Sequence, residues 1–270
     1  MIDAPQKPMS QDRKILIFEN TYSLTNYLVD QWVATARESI RRHNRFTVAL
    51  SGGRSPMEFY CKLSALEDFS IWQRTHIFLG DERFVRQDDD NSNFKMIKEN
   101  LLDYISIPPE NIHPIATDQK NVDIAAESYK DEIVRFFEFR ENNAPRFDLI
   151  LLGIGTDGHT ASLFPDDERV DDPGRLVLPV SLPRLKHERI SLTLPVINNA
   201  SYCVVLVIGS RKADIISEMI ERNLQVPASK INPANGRLIY LLDKEAAQKL
   251  PYRESGSREG EAVLYEAGKE

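Results

Sequence analysis

Residues 147–165 read FDLILLGIGTDGHTASLFP. An apolar run from Leu149 to Leu152 stops at Gly153 and Gly155, and Asp157, Gly158 and His159 follow at once. A short run that is apolar throughout, rather than alternating, predicts a strand covered on both faces. Such strands belong to mostly parallel sheets, so this stretch decides the fold class. Turn chemistry alone accounts for Gly-Thr-Asp-Gly. The histidine raises a second reading, in which the turn delivers Asp157 and His159 to a site at the end of a strand.

Outward from this stretch, similar runs recur. ILIF (15–18), FTVAL (46–50), THIFLG (75–80), RISLTL (189–194), YCVVLVIG (202–209) and RLIYLLD (237–243) are predicted as strands. Helical patterns lie between them at about 21–43, 56–68, 92–102, 122–140 and 211–222. This alternation predicts an α/β fold with a doubly wound, mostly parallel sheet and helices on both faces, a Rossmann-like three-layer sandwich. Residues 1–250 are expected to form a single domain, and the charged segment 251–270 a polar C-terminal extension.

The bulk numbers narrow the function. The 270 residues suffice for a sizeable core, and 41% hydrophobic with 28% charged residues is ordinary for a soluble protein. A net charge of −7 argues against a nucleic-acid partner while leaving room for a local positive pocket. No run reaches the 18 apolar residues of a membrane span, and MIDAPQKPMSQDRK has no apolar stretch of signal-peptide length. The expectation is a cytoplasmic protein with no membrane partner. Cys61 and Cys203 alone suggest neither a disulfide framework nor a zinc site. No metal and no cofactor are expected. Oligomeric state is left open between a monomer and a weak homodimer.

In open α/β sheets ligands sit beyond the carboxyl ends of the strands, so the residues there carry the function. After FTVAL comes SGGRSPME. Gly52 and Gly53 let backbone N–H groups turn toward an anion, Ser55 is a plausible N-cap, and Pro56 and Glu58 fit the first helical turn. With Ser51 and Arg54, this loop suits a phosphate. After THIFLG, Asp81 and Arg83 lie two apart, so an extended backbone sends both to one side. They serve either as a surface ion pair or as a carboxylate and a guanidinium entering one cleft. After FDLILLGI, His159 is the side chain whose ordinary pKa best suits proton transfer near neutrality. Arg189 and Lys212 are candidate phosphate clamps near the start of RISLTL and after VIG.

In this order and spacing, SGGRSP, GDERFV with NSN, LLGIGTDGHTASLFP, RISLTLPVINNA and VIGSRKA resemble the 6-phosphogluconolactonase family over about residues 14–243. That family lies within the superfamily shared with glucosamine-6-phosphate isomerase/deaminase. The resemblance implies hydrolysis of 6-phospho-D-glucono-1,5-lactone to 6-phosphogluconate, in the oxidative pentose phosphate pathway, with a phosphorylated sugar lactone as partner and no cofactor. It implies His159 as the catalytic histidine, with Asp157, Asp81 and Arg83 beside it. It implies a substrate-phosphate site of Ser51, Gly52, Gly53, Arg54, Arg189 and Lys212. Either Asp81 or Asp157 orients the imidazole. The segment Leu185-Lys186-His187-Glu188 replaces a proline-rich approach common in the family, which leaves Lys186 without an assigned role.

Two other functions compete. The deaminase branch resembles a DGH turn followed, five residues after the histidine, by a glutamate; this chain has Phe164 there, which cannot transfer a proton. A non-catalytic sugar-phosphate-binding protein would use the same pocket without turnover. A dinucleotide site is disfavoured, because Gly153, Gly155 and Gly158 match G-x-G-x-x-G but no acidic residue ends a following strand.

Overall fold

The computed structural model describes residues 13–138, 145–252 and 258–265. The chain opens with β1 (Arg13–Phe18) and α1 (Thr21–His43). Asn20 is extended, and its side chain accepts from the Ser23 N–H at 3.0 Å, satisfying an orphan donor where the helix begins. Asn44, left-handed at φ 65°, ends the helix by donating its N–H to the Ile40 carbonyl at 2.8 Å. Between the caps Leu24, Leu28, Trp32 and Ala36 recur every fourth residue and are buried. Trp32 meets Phe46 edge-on at 5.1 Å and Phe59 at 5.9 Å, which fixes α1 against the next strand and helix. Trp32→Ala would cost roughly 3–5 kcal/mol by leaving a cavity there.

The elements that follow are β2 (Phe46–Leu50), α2 (Met57–Ser64), α3 (Phe69–Trp72) and β3 (Thr75–Leu79). Next are β4 (Asp81–Arg83), α4 (Asn93–Asn100), β5 (Ile112–His113), α5 (Val122–Phe136) and β6 (Leu149–Gly153). Then come β7 (Val177–Val180), β8 (Arg189–Leu192), α6 (Leu194–Ile197), β9 (Tyr202–Val207) and α7 (Ala213–Glu221). The last are β10 (Arg237–Asp243), α8 (Lys244–Ala247), β11 (Arg258–Glu259) and β12 (Ala262–Tyr265).

Nine strands form the main sheet in the order β11-β12-β1-β10-β9-β6-β2-β3-β5. Every neighbour pair from β1 to β5 in that order is parallel. The chain runs from β2 outward to β5, then returns to β6 on the other side of β2 and continues outward to β10. Right-handed crossovers that advance in opposite directions put helices on opposite faces. The sheet is therefore doubly wound, with helices on both faces and its switch point between β2 and β6. A ligand crevice is expected beyond the carboxyl ends of those two strands.

Two features depart from the sequence reading. RISLTL does not join the main sheet: β8 pairs antiparallel with β4 and β7 in a separate three-stranded sheet. Its alternation of Ile190 and Leu192 with Arg189 and Ser191 is the antiparallel signature, unlike the continuous run of β6. The segment 251–270, expected as a polar extension, holds β11 and β12, and β12 pairs antiparallel with β1. The physical reason is Ala262, Val263 and Tyr265, which are buried despite their charged surroundings. Among the described residues no helix is long and apolar enough to cross a membrane.

Candidate active site

A cleft of about 680 Å³ opens at the carboxyl ends of β2 and β6. Ser51, Gly52, Gly53, Arg54, Asp81, Arg83, His159 and Lys212 all line it, so loops distant in sequence meet at the switch point. Arg54, Arg83, Arg211 and Lys212 face it against the carboxylates of Asp81 and Glu245. In a chain of net charge −7 this is a local cationic excess, which suits an anion. Asp157 and Arg189 do not line the cleft but stand directly behind residues that do.

Asp157 stands behind His159. Its Oδ1 lies 2.5 Å from the imidazole Nδ1 and accepts the His159 backbone N–H at 3.2 Å. The carboxylate fixes Nδ1 and leaves Nε2 as the ring nitrogen free for chemistry. Burial opposes ionisation of Asp157, but the His159 charge and hydrogen bonds outweigh it and hold the carboxyl below its ordinary value. A Cβ on Gly155 would fall 2.1 Å from His159 Nδ1 and 2.4 Å from Asp157 Oδ1, so the pair needs glycine at that position. The next residues are anchored on both sides. Thr160 Oγ1 donates to the Gly153 carbonyl at 2.9 Å, and Ser162 Oγ donates to Asp81 Oδ2 at 2.7 Å. Ala161 between them is left-handed at φ 47°, a conformation costing about 1 kcal/mol that these anchors sustain. Asp81 therefore braces the turn through Ser162, while Asp157 is the carboxylate on the imidazole.

The loop after β2 differs locally from its sequence reading. Helix α2 begins at Met57 with no side-chain cap, so Ser55 does not act as N-cap. Glu58 turns away to accept from Thr25 Oγ1 at 3.1 Å and to pair with Lys62 at 3.3 Å. Among the described residues no acceptor meets the N–H groups of Gly52, Gly53, Arg54 and Ser55. An uncapped helix start preceded by free N–H groups is a nest for an anion.

Strand β4 supplies the opposite wall. Its central Glu82, only 1% exposed, accepts the N–H groups of Arg83, Asn93 and Phe94 at 2.6, 2.7 and 2.8 Å, and the Ser92 hydroxyl at 3.0 Å. Burial pushes the Glu82 carboxyl up, and these four donors pull against it. Glu82 thereby ties β4 to the start of α4. Asn93 Nδ2 donates to the Asp81 carbonyl at 2.9 Å, while its buried Oδ1 has no partner and faces Gly52. Arg83 lies across from Arg189 in the β4–β8 register, and both Nε atoms are buried without partners. Opposed like charges are unfavourable in a sheet. Burial, then the charge of Arg83, lowers the pKa of Arg189. An anion near Arg83 would relieve both. Lys212 is lowered by burial first and by Arg211 next, with Asp157 opposing.

Glu82, Asn93, Ser162 and Glu245 were not singled out from the sequence. Glu82 sits between Asp81 and Arg83, where a middle residue in an extended strand points away from its neighbours. The Ser92 N-cap of α4 signals where that helix starts, but nothing in the sequence places Glu82 against it.

A doubly wound α/β protein with an imidazole–carboxylate pair beside free N–H groups and cationic side chains at its switch point belongs to the class of α/β proteins built to hold an anion next to a proton-transfer group. Comparison with known proteins makes that particular. The chain belongs to the glucosamine-6-phosphate isomerase/6-phosphogluconolactonase family, which it matches over residues 19–240. It is 35% identical over 250 residues to a 6-phosphogluconolactonase of Synechocystis sp., covering 92% of this chain and 99% of that one. It is 37% identical over 254 residues to probable 6-phosphogluconolactonase 1 of Arabidopsis thaliana, covering 88% and 93%. The crystal structure of 6-phosphogluconolactonase from Thermotoga maritima superposes with a TM-score of 0.74 at 30% identity, over 86% of this chain and 100% of that one.

Proposed function

We propose that the protein hydrolyses 6-phospho-D-glucono-1,5-lactone to 6-phosphogluconate, the second step of the oxidative pentose phosphate pathway. The observation that carries this reading is His159, held by Asp157 at 2.5 Å, sharing one cleft with the free N–H groups of residues 52–55. The loop Ser51–Arg54 and Lys212 hold the phosphate, and so bring C1 of the lactone beside His159. Asp157 keeps Nδ1 protonated. Neutral His159 takes a proton through Nε2 from the water attacking C1, then returns it to the ring oxygen as the tetrahedral intermediate collapses. Proton transfer of this kind contributes about 10²–10⁴-fold. Arg83 stabilises the developing oxyanion, an interaction worth about 3 kcal/mol. Arg189 acts from behind Arg83, and Asp81 holds the histidine turn through Ser162.

Phe164 speaks against deamination as the main activity. Its ring packs 4.6 Å from the imidazole and offers no exchangeable proton. A cytoplasmic location forms part of the proposal, supported by two cysteines that are both free.

The test is formation of 6-phosphogluconate above the spontaneous rate, run beside an assay for ammonia release from glucosamine 6-phosphate. Wild-type protein should accelerate the first and leave the second at background. His159→Ala should lower lactone turnover by about 10²–10⁴-fold. Near-wild-type turnover in that variant would remove His159 as the acid–base group. Binding of 6-phosphogluconate with turnover at background would point to a non-catalytic sensor.

A further inference from the structure

Phe164 has a second neighbour besides the imidazole. The His159 and Phe164 ring centroids lie 4.6 Å apart at 48°, and Arg184 Cζ lies 4.6 Å from the same Phe164 centroid. Arg184 comes from the connection between β7 and β8 and does not line the cleft. Its guanidinium grips Asp166 with both nitrogens of its fork, Nε at 2.9 Å from Oδ2. Its Nη2 also stands 4.0 Å from Asp157 Oδ2. One guanidinium therefore touches the ring that backs the imidazole and faces the carboxylate that holds it.

We propose that Arg184 is a positioning residue for the hydrolysis: anchored on Asp166, it holds Phe164 against His159 and sets a positive charge beside Asp157. The inference rests on the lactone-hydrolysis reading of the same cleft. A hydrogen bond at Nδ1 fixes one ring atom, but the χ2 torsion of histidine is broad. Contact with the Phe164 face removes that freedom, so Nε2 keeps its direction toward the cleft. The charge has a separate effect. A cation 4.0 Å from Asp157 Oδ2 offsets part of the attraction that this carboxylate exerts on a proton at the imidazole. The charged groups sharing the cleft with His159 are Arg54, Asp81, Arg83, Arg211, Lys212 and Glu245, with Asp157 on its own turn and the Arg184–Asp166 pair beyond Phe164. Arg184 is the cation among them whose removal leaves the lining of the cleft intact.

The experiment compares wild type with Arg184→Gln, Arg184→Lys and Asp166→Asn, measuring kcat and KM from about pH 5 to 9. Arg184→Gln should lower kcat roughly tenfold with KM unchanged. It should also move the acid limb of the kcat/KM profile up by about half a unit. Arg184→Lys should restore the limb but not kcat, because an ammonium keeps the charge without the planar face. Asp166→Asn unties the guanidinium and should lower kcat in weaker form without raising the limb, because it removes a carboxylate and keeps the cation, and it keeps the inference testable if Arg184→Gln does not fold. Wild-type kcat and an unmoved limb in Arg184→Gln overturn the proposal. So does a raised KM at constant kcat, which would mean that Arg184 binds substrate. If the wild type itself fails to hydrolyse the lactone, the reading of the cleft falls instead. The His159 imidazole titration followed by NMR in Arg184→Gln then decides the positioning role, and an unshifted titration refutes it.

Discussion

Replacing Gly52 by alanine would put a Cβ 1.8 Å from Asn93 Oδ1, 2.1 Å from its Cγ and 2.7 Å from its Nδ2. Ordinary contact begins near 3.4 Å, so the two groups must part by about 1.6 Å. Asn93 is poorly able to yield, being 2% exposed with its Nδ2 holding the Asp81 carbonyl at 2.9 Å. The glycine loop yields instead and carries its free N–H groups with it. Overpacking of this kind costs about 1–3 kcal/mol, or roughly 2–10 °C in Tm for a chain of this size. A displacement near 1 Å at a positioning loop lowers kcat/KM about 10²-fold. Calorimetry and initial rates of lactone hydrolysis measure both effects. Asn93→Ala removes the opposing atoms, so adding Gly52→Ala in that background should cost less than about 0.5 kcal/mol. A single Gly52→Ala variant that stays within threefold of wild type, or a full cost that persists without the Asn93 side chain, would refute the reasoning.

Three more outcomes are expected. Asp157→Asn presents a donor to Nδ1 and holds the proton on Nε2, so kcat should fall about 10–10²-fold; a loss under twofold in steady-state rates would free Asp157 of the orienting role. Glu82→Gln turns one of two acceptor oxygens into a donor facing N–H and O–H groups, which should cost about 2–4 kcal/mol in urea unfolding. The Glu82 assignment fails if stability is unchanged. His76 is pushed down to about 4 by burial, then by His113 and Arg45, so the unfolded chain binds its proton more tightly. Stability from this group is present above about pH 6.5 and lost as pH falls toward 4, by about 1–2 kcal/mol after allowing for its partial exposure. His76→Phe should flatten that part of the Tm–pH curve, and an unaltered curve would exclude His76 as its source.

The central strands were legible because β6 and β9 are apolar at nearly every position, which leaves a parallel, twice-covered strand as the simplest reading. Helix α1 was legible from its apolar repeat at about 21–43, and the structure caps it with Asn20 and Asn44. Strand β4 was not, because Asp-Glu-Arg has no strand propensity of its own and exists through pairing with β8. Strand β12 was hidden by charged neighbours, and β7 by Pro179 in its middle. In the site, strand-end position pointed to residues 51–54, 81, 83, 159 and 212. Roles that depend on contacts across the fold stayed invisible. The Arg83–Arg189 opposition comes from strand register, and the Arg184–Phe164 contact from two loops 20 residues apart in sequence.

The placement of β1 has a consequence for how the protein is made. Its two sheet neighbours, β10 and β12, both come from the last part of the chain. About 220 residues separate β1 from β10, which at ribosomal rates takes on the order of 10–40 s to synthesise. For that interval the apolar segment Ile15–Phe18 has emerged without its strand partners. During translation it must wait for them, and slowing the ribosome anywhere between β1 and β10 would lengthen that exposure by the full length of the pause.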